Sequence, residues 1–322
     1  MSWMVTGGAG YIGAHIVRSL RQQGFKVVVL DDLSTGEARK IPTDVTCVEA
    51  SVLDRETVER ALAEHEVTGV VHMAAKKAVG ESVEKPLHYY RENVDGLLSL
   101  LEAMTGVGVT NMVYSSSAAT FGMPDTFDQL TEKYDCHPIN PYGETKLIGE
   151  WLMRDVAAAH GLNWLSLRYF NVAGAGGPEL GDTGVFNLIP MVFRALSQGK
   201  NPQVFGDDYP TPDGSCIRDY IHVSDLADAH VAAVQRLEQG PAADVYNVGR
   251  GEGVSVKEVM AEVRKATGID FAYDVVPRRP GDPARLGASP DKIRAALGWT
   301  ATLDLSEMVS SAWEAWQAYP PV

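Results

Sequence analysis

Residues 3–13 read Trp3-Met4-Val5-Thr6-Gly7-Gly8-Ala9-Gly10-Tyr11-Ile12-Gly13, and this stretch decides the fold. Trp3-Met4-Val5 has the texture of a short buried strand. From Tyr11 an amphipathic run continues to Gln23, where Gly24 reads as a helix C-terminal cap. Glycines at Gly7, Gly10 and Gly13 give a tight turn, close backbone approach and tight helix–strand contact. A helix N-terminus entered this way suits a pyrophosphate. A second strand over 26–30 ends on Asp31. A carboxylate there bonds the diol of an adenosine ribose and repels a 2′-phosphate, which selects NAD over NADP. Alone, the glycines mark a loop and Asp31 a turn. In the order strand, loop, helix, strand, acid they predict a dinucleotide site.

The pattern repeats outward from there. Strands are predicted at 2–6, 26–30, 45–49, 69–73, 111–115 and 164–168, and helices near 11–23, 54–65, 85–105 and 142–160. Such alternation implies an α/β fold with a doubly wound parallel sheet, Rossmann-like, whose ligands sit beyond the carboxyl ends of the strands. Those ends carry Gly7, Asp31, the stretch His72–Lys77, Ser115–Ser117 and Tyr169–Asn171. After about residue 172 the texture changes to loops rich in Gly, Pro and Asp, Gly174–Asp182 and Gly206–Gly214, between shorter elements. The expected division is a dinucleotide-binding domain over 1–172 and a smaller α/β substrate domain over 173–322. The segment 219–248 is a candidate to return to the first, because Asp225 opens a helix pattern and Asp244–Val248 reads as a strand. Ser255 with Glu258 predicts a capping box, and Ser289-Pro290 an N-cap followed by proline at the first helical position.

Tyr142 and Lys146 are four apart on one predicted helix face. A free phenol titrates near ~10 and is a poor base at neutral pH, but a neighbouring ammonium favours the phenolate. Tyr142 is therefore the candidate base, with Lys146 beside it and the cluster Ser115-Ser116-Ser117 one strand-and-helix unit upstream.

Composition bounds the rest. The chain has 322 residues, 45% hydrophobic and 22% charged, and a formal charge of −14. It is large enough for two domains and a sizeable core, and too acidic for nucleic acid or an anionic membrane as partner. Cys47, Cys136 and Cys216 are far apart with no metal-ligand spacing, as expected of reduced thiols in a cytoplasmic protein. The N-terminus enters a strand at once, leaving no room for a signal peptide, and no apolar run reaches membrane-spanning length.

Eight segments carry a resemblance: VTGGAGYIGAH at 5–15, KAVGESVEKP at 77–86, YSSSA at 114–118, NPYGETK at 140–146, LRYFN at 167–171, FGDDYPTPDG at 205–214, RDYIHVSDLADAH at 218–230 and PRRPGD at 277–282. On these the chain resembles the extended short-chain dehydrogenase/reductase family and, by the later segments, its UDP-hexose 4-epimerases. The resemblance implies interconversion of UDP-galactose and UDP-glucose by NAD-dependent oxidation and re-reduction at C4, through a 4-keto sugar.

It also implies roles. Tyr142, Lys146 and Ser117 are the catalytic set. Gly7, Gly10, Tyr11, Ile12, Gly13, Asp31, Asp32, Ser34, Thr35, Gly36, Ser51, Val52, Met73, Ala74, Ala75, Lys77, Asn93, Ser115 and Phe170 are expected around NAD, together with Tyr142 and Lys146. Lys77, Ser117, Tyr142 and Asn171 are expected at the sugar. Asn187, Leu188, Val204, Phe205, Arg218, Tyr220, Arg279 and Asp282 are expected toward the UDP end. Leu286 is expected near the sugar C2 substituent, with Arg285 or Gly287 in that place if the loop shifts by one. No metal is implied. The family pairs through two helices, so a homodimer through 85–105 and 142–160 is expected; Leu97, Leu98, Leu100 and Leu101 give a wide apolar face. Ser51, Phe121 and Ala75 depart from the common Asp, Tyr and Gly of the pattern.

Blander roles suit several residues. His72, His222 and His230 read as structural, Trp313 and Trp316 as packing, and Asp207-Asp208 as a turn. A 4,6-dehydratase on the same fold needs an acid after the serine, and Ser117 is followed by Ala118-Ala119. A non-catalytic scaffold would be expected to lose Tyr142 or Lys146.

Overall fold

The computed structural model describes residues 1–126, 128–279 and 281–321; Pro280 of the 277–282 segment and the last residue of the expected second domain lie outside these. The chain opens with β1 (Ser2–Thr6), α1 (Tyr11–Gln22), β2 (Lys26–Asp31), β3 (Thr46–Glu49), α2 (Arg55–Glu64) and β4 (Val67–His72). A short helix α3 (Val79–Glu84) precedes the predicted helix over 85–105, which is present and continuous as α4 (Pro86–Tyr90), a π turn at Arg91–Asp95 and α5 (Gly96–Val107). Pro86 starts a new helix at its first position, where its missing N–H costs nothing. Then come β5 (Asn111–Ser117), α6 (Pro141–His160) and β6 (Asn163–Tyr169). Asn140 caps α6 by accepting from Gly143 N, and Gly161, in the left-handed region, ends it.

The rest is β7 (Asn171–Ala173), α7 (Leu188–Ser197), β8 (Gln203–Phe205), β9 (Ile217–His222), α8 (Val223–Glu238), β10 (Ala243–Val248) and β11 (Gly253–Ser255). α9 (Val256–Thr267), β12 (Asp274–Val276), β13 (Arg285–Leu286), α10 (Asp291–Leu297) and α11 (Leu305–Ala318) complete the chain. α9 has the expected capping box of Ser255 and Glu258. α10 starts one residue later than read from Ser289-Pro290. Its N-cap is Pro290, while Ser289 N is taken by Leu130 O (2.8 Å) and the Ser289 hydroxyl donates to Asp291.

The main sheet runs β10-β6-β5-β4-β1-β2-β3, every pairing parallel. β10 pairs with β6 from Ala243 to Val248, and α8 supplies buried Leu226, Ala233, Val234 and Leu237 to the face that α1 covers with Ile16, Val17 and Leu20. The other face is filled by Val58 and Leu62 of α2, Leu97, Leu100 and Met104 of α5 and Met153 of α6. With both faces covered, the strands are apolar runs rather than alternating ones. Beyond the sheet, β9 pairs with β7, β11 and β13, and β8 with β12. There Ile189, Val192 and Phe193 pack on Val259, Met260, Val263, Met308 and Val309, with Trp313 5.0 Å from the Phe193 ring. Strand order reverses between β1 and β4, which opens a crevice at their carboxyl ends.

Candidate active site

The crevice is floored by the glycine loop. Gly7 has φ +69°, and a Cβ there would lie 2.8 Å from Ala74 N; a Cβ on Gly13 would lie 2.1 Å from Gly7 O. Gly10 caps α1 with no side-chain bond, and the first turn holds no acid, so its N–H groups are free for an anion. Asp31 ends β2, buried, accepting from Ala9 N (2.8 Å) and Leu33 N (2.9 Å). Burial raises its carboxyl, and these two bonds oppose the rise. Asp32 accepts from Ser34 N, and Ser34 Oγ from Lys76 Nζ (3.1 Å), so the β2 and β4 loops meet over Asp31. Thr35 is exposed and Gly36 half-buried on the same rim, as are Ser51, Met73, Ala74 and Ala75 beyond the neighbouring strands. Val52 is buried in the core with Leu97, which leaves only its main chain for a ligand. His72 is structural as read: buried, 2.8 Å from Thr6 Oγ1, with its pKa pushed down to about 3 by burial.

The three serines of β5 separate in function. Ser116 points away and donates to Glu150 Oε1 (2.6 Å), the acid of a buried ion pair with Arg168. Ser115 Oγ bonds Tyr169 Oη, and Ser115 O accepts from Lys146 Nζ (2.8 Å). Ser117 ends the strand, accepts from Ala119 N (3.1 Å) and is the neighbour that favours the Tyr142 phenolate. Tyr142 and Lys146 are both buried, with Nζ 5.9 Å from the Tyr142 ring centre. The electrostatics differ from the expectation. Burial raises the Tyr142 phenol above its usual value and only Ser117 opposes the rise, while burial depresses Lys146 to about 7. Burial of the pair thus works against the pull that the i, i+4 spacing promised.

Lys77 is exposed, 5.8 Å from the Tyr11 ring centre and 4.0 Å from Asp182 Oδ1. Its loop is clamped on both sides. Asn93, turned inward by the π turn, accepts from Lys76 N (2.8 Å) and donates to Lys76 O and Thr145 Oγ1 (both 3.0 Å). The Tyr89 hydroxyl bonds both Ala78 N (2.9 Å) and Ala78 O (2.8 Å). The Asn93 amide is thus spent on the protein, tying the Lys77 loop to the helix of Tyr142. Tyr11 Oη donates to Gly174 O (2.6 Å), and Ile12 is half-buried behind it.

Phe170 is buried with Ala118, Phe121 and Leu130, and Leu286 packs against this group. Asn171 of β7 pairs with Tyr220 of β9, whose ring faces the second core. Arg218 donates to Asp282 Oδ1 (3.0 Å) and Pro283 O (2.8 Å), and exposed Arg279 lies 3.8 Å over the Phe205 ring. Asn187 begins α7 without capping it; its amide donates to Asp182 Oδ2 (2.8 Å), leaving the N–H groups at Leu188 open. Val204 is buried in the second core, so only its main chain faces outward. Missed from the sequence were Glu150, which is i+4 from Lys146 and shares its face, and Asp219, whose carboxylate accepts from Arg250 N, Gly251 N and Ala288 N. Among the described residues no cluster suits a metal, and no helix is long and apolar enough to cross a membrane.

The model of the NAD dependent epimerase/dehydratase family matches residues 3–249. A UDP-glucose 4-epimerase of Corynebacterium glutamicum is 46% identical over 317 residues, 97% of this chain and 95% of that protein. Among solved structures, UDP-glucose 4-epimerase from Brucella ovis in complex with NAD superposes with a TM-score of 0.93 at 41% identity, covering 97% of each chain. The enzyme from Bifidobacterium longum in complex with NAD+ and UDP gives 0.92 at 38% identity, covering 100% of this chain and 99% of that one.

Proposed function

The chain belongs to the NAD dependent epimerase/dehydratase family, and from that premise we propose how its residues interconvert UDP-galactose and UDP-glucose. The observation that carries the reading is the convergence of Ser117, Tyr142 and Lys146 at the carboxyl end of a sheet whose glycine loop and Asp31 fit NAD. The fit rests on the uncapped, acid-free start of α1 and on the Asp31 oxygens, which keep lone pairs for a ribose diol.

NAD, when bound, supplies reversible hydride exchange at the sugar C4 and a positive charge near Tyr142. The polypeptide supplies the rest. Tyr142 Oη takes the proton of the 4-hydroxyl as C4 becomes a ketone and returns it after the 4-keto sugar has turned over, so no proton leaves the site. Ser117 steadies Tyr142 Oη and the sugar oxygen, while Lys146 orders Ser115 and lowers the cost of the phenolate. Burial of both groups excludes water from the ketone. Lys77 is assigned to the ribose of the nicotinamide half and Asn171 to the sugar. Arg218 and Arg279 are assigned to the diphosphate and the open start of α7 at Asn187 and Leu188 to the UDP moiety. We assign residues 1–172 with 219–248 to NAD and the remainder to the UDP-sugar.

A homodimer is proposed because Val83, Leu87, Leu98 and Trp151 are exposed on α3, α4, α5 and α6. A cytoplasmic location is proposed because Cys47, Cys136 and Cys216 are free thiols. The reaction class is tested by starting from UDP-glucose and from UDP-galactose. Both should reach one common mixture, whereas accumulation of a 4-keto-6-deoxy sugar would identify a dehydratase.

A further inference from the structure

Away from the catalytic residues, the ammonium of Lys40 is buried where the reaction makes no demand for it. Lys40, only 2% exposed, closes a 3-10 turn at Ala38–Lys40. A buried ammonium is costly unless its donors are met, and here two separate loops meet them. Nζ donates to Gly181 O (2.9 Å) and Thr183 Oγ1 (3.3 Å) and lies 2.8 Å from Glu37 Oε1. Thr183 Oγ1 donates to that same Glu37 oxygen at 2.7 Å. Burial would raise the Glu37 carboxyl, but the bonds from Lys40 and Thr183 hold it at about 2, so it stays a carboxylate at neutral pH.

The first loop covers Asp31. Glu37 N donates to Ala9 O (3.0 Å) in the glycine loop, and a Cβ on Gly36 would stand 2.8 Å from Asp31 Oδ1. The second loop leads into α7. Asp182, between the two residues that grip Lys40, accepts from Asn187 Nδ2 (2.8 Å) and faces Lys77 Nζ at 4.0 Å. A polar strut in place of an apolar contact makes the two loops keep one registry, because a shift of either strands a buried charge.

We propose that Lys40 is a positioning residue which, through Glu37 and Thr183, locks the loop over the adenosine end of NAD to the loop leading into the UDP end, so that UDP slows NAD release. This rests on the functional reading above. UDP at Asn187 steadies Asp182, and with it Gly181 and Thr183. These hold Glu37 and Lys40 down over Asp31.

NAD release from the purified holoprotein is followed by fluorescence after dilution, with and without saturating UDP. UDP should slow release from the wild type at least about fivefold, the lower end of usual coupling between sites. Lys40→Met should release NAD faster with the UDP effect abolished. Thr183→Val, which removes one hydroxyl and spares the fold, should show a reduced effect. Lys40→Arg should restore part of it. A variant isolated without NAD is reloaded, and its NAD affinity is measured with and without UDP. A full UDP effect in both Lys40→Met and Thr183→Val, or none in a wild type that binds both ligands, overturns the strut. A wild type that binds neither NAD nor UDP overturns the functional reading and the strut with it.

Discussion

Tyr142 and Lys146 stand one turn apart on α6, and burial acts on them in opposite senses, raising the phenol and depressing the ammonium to about 7. Tyr142→Phe keeps the ring and removes the proton acceptor, so kcat should fall roughly 10²–10⁴-fold with NAD still bound. Retention of near-native turnover would remove Tyr142 from the mechanism. Lys146→Met withdraws a cation that favours the phenolate. The Tyr142 pKa then rises, and the basic-going limb of the kcat profile should move to higher pH; a profile that stays in place would assign Lys146 to structure alone. Leu286 packs against the Ala118 and Phe170 group beside Ser117, and no atom lies within 4 Å of a Cβ built on Gly287. A leucine leaves partial room for a C2 acetamide and offers it no hydrogen bond, and such pockets discriminate by only ~1–3 kcal/mol. UDP-galactose and UDP-glucose should therefore exceed the N-acetylated pair in kcat/KM, with residual activity on the latter. Equal values, or the reverse order, would refute this role for Leu286. At this scale the tyrosine–lysine pair was legible from spacing. Its electrostatics were not, because desolvation depends on neighbours distant in the chain.

α6 is held to the sheet by polar groups as well as apolar ones. Glu150 accepts from Ser116 of β5 and from Ser166 and Arg168 of β6, all buried. This joins the helix of Tyr142 to the strands of Ser117 and Tyr169. Glu150→Leu leaves the Arg168 guanidinium buried without its carboxylate, a change that costs ~3–5 kcal/mol in comparable pairs. Urea denaturation should show a loss of that order, and a loss below about 1 kcal/mol would deny the clamp. The alternation of strand and helix was legible because parallel strands buried on both faces are apolar runs between helical periods. The π turn at Arg91–Asp95 was not, because it inserts one residue into an otherwise continuous helix. Asn93, on that turn, holds the Lys77 loop through Lys76 and bonds Thr145 of α6. In the same way the segment 218–230 is largely a staple. Asp219 gathers three main-chain N–H groups, and Asp225 bonds Thr302 and Leu303.

In the whole molecule, strand order β10-β6-β5-β4-β1-β2-β3 brings residues as far apart as Gly7 and Tyr169 to one crevice. The return of β10 to the main sheet was visible as a strand pattern, but its partner β6 was not, since pairing across so long a separation leaves no local trace. The apolar helix surface left outside the sheet, Leu87 at 84% exposed and Trp151 at 49%, should be covered by a second copy. Light scattering at micromolar concentration should give twice the chain mass, and a monomer would remove the proposed pairing through α3 to α6. The central claim is that NAD stays in the crevice and that hydride taken from C4 is given back in the same turnover. Its most direct test is to incubate the purified protein with UDP-galactose and no added nucleotide. UDP-glucose should form over many turnovers, with no net reduced nicotinamide accumulating. Absence of UDP-glucose from protein shown to carry NAD, or formation of a stoichiometric oxidised sugar in its place, would contradict the account.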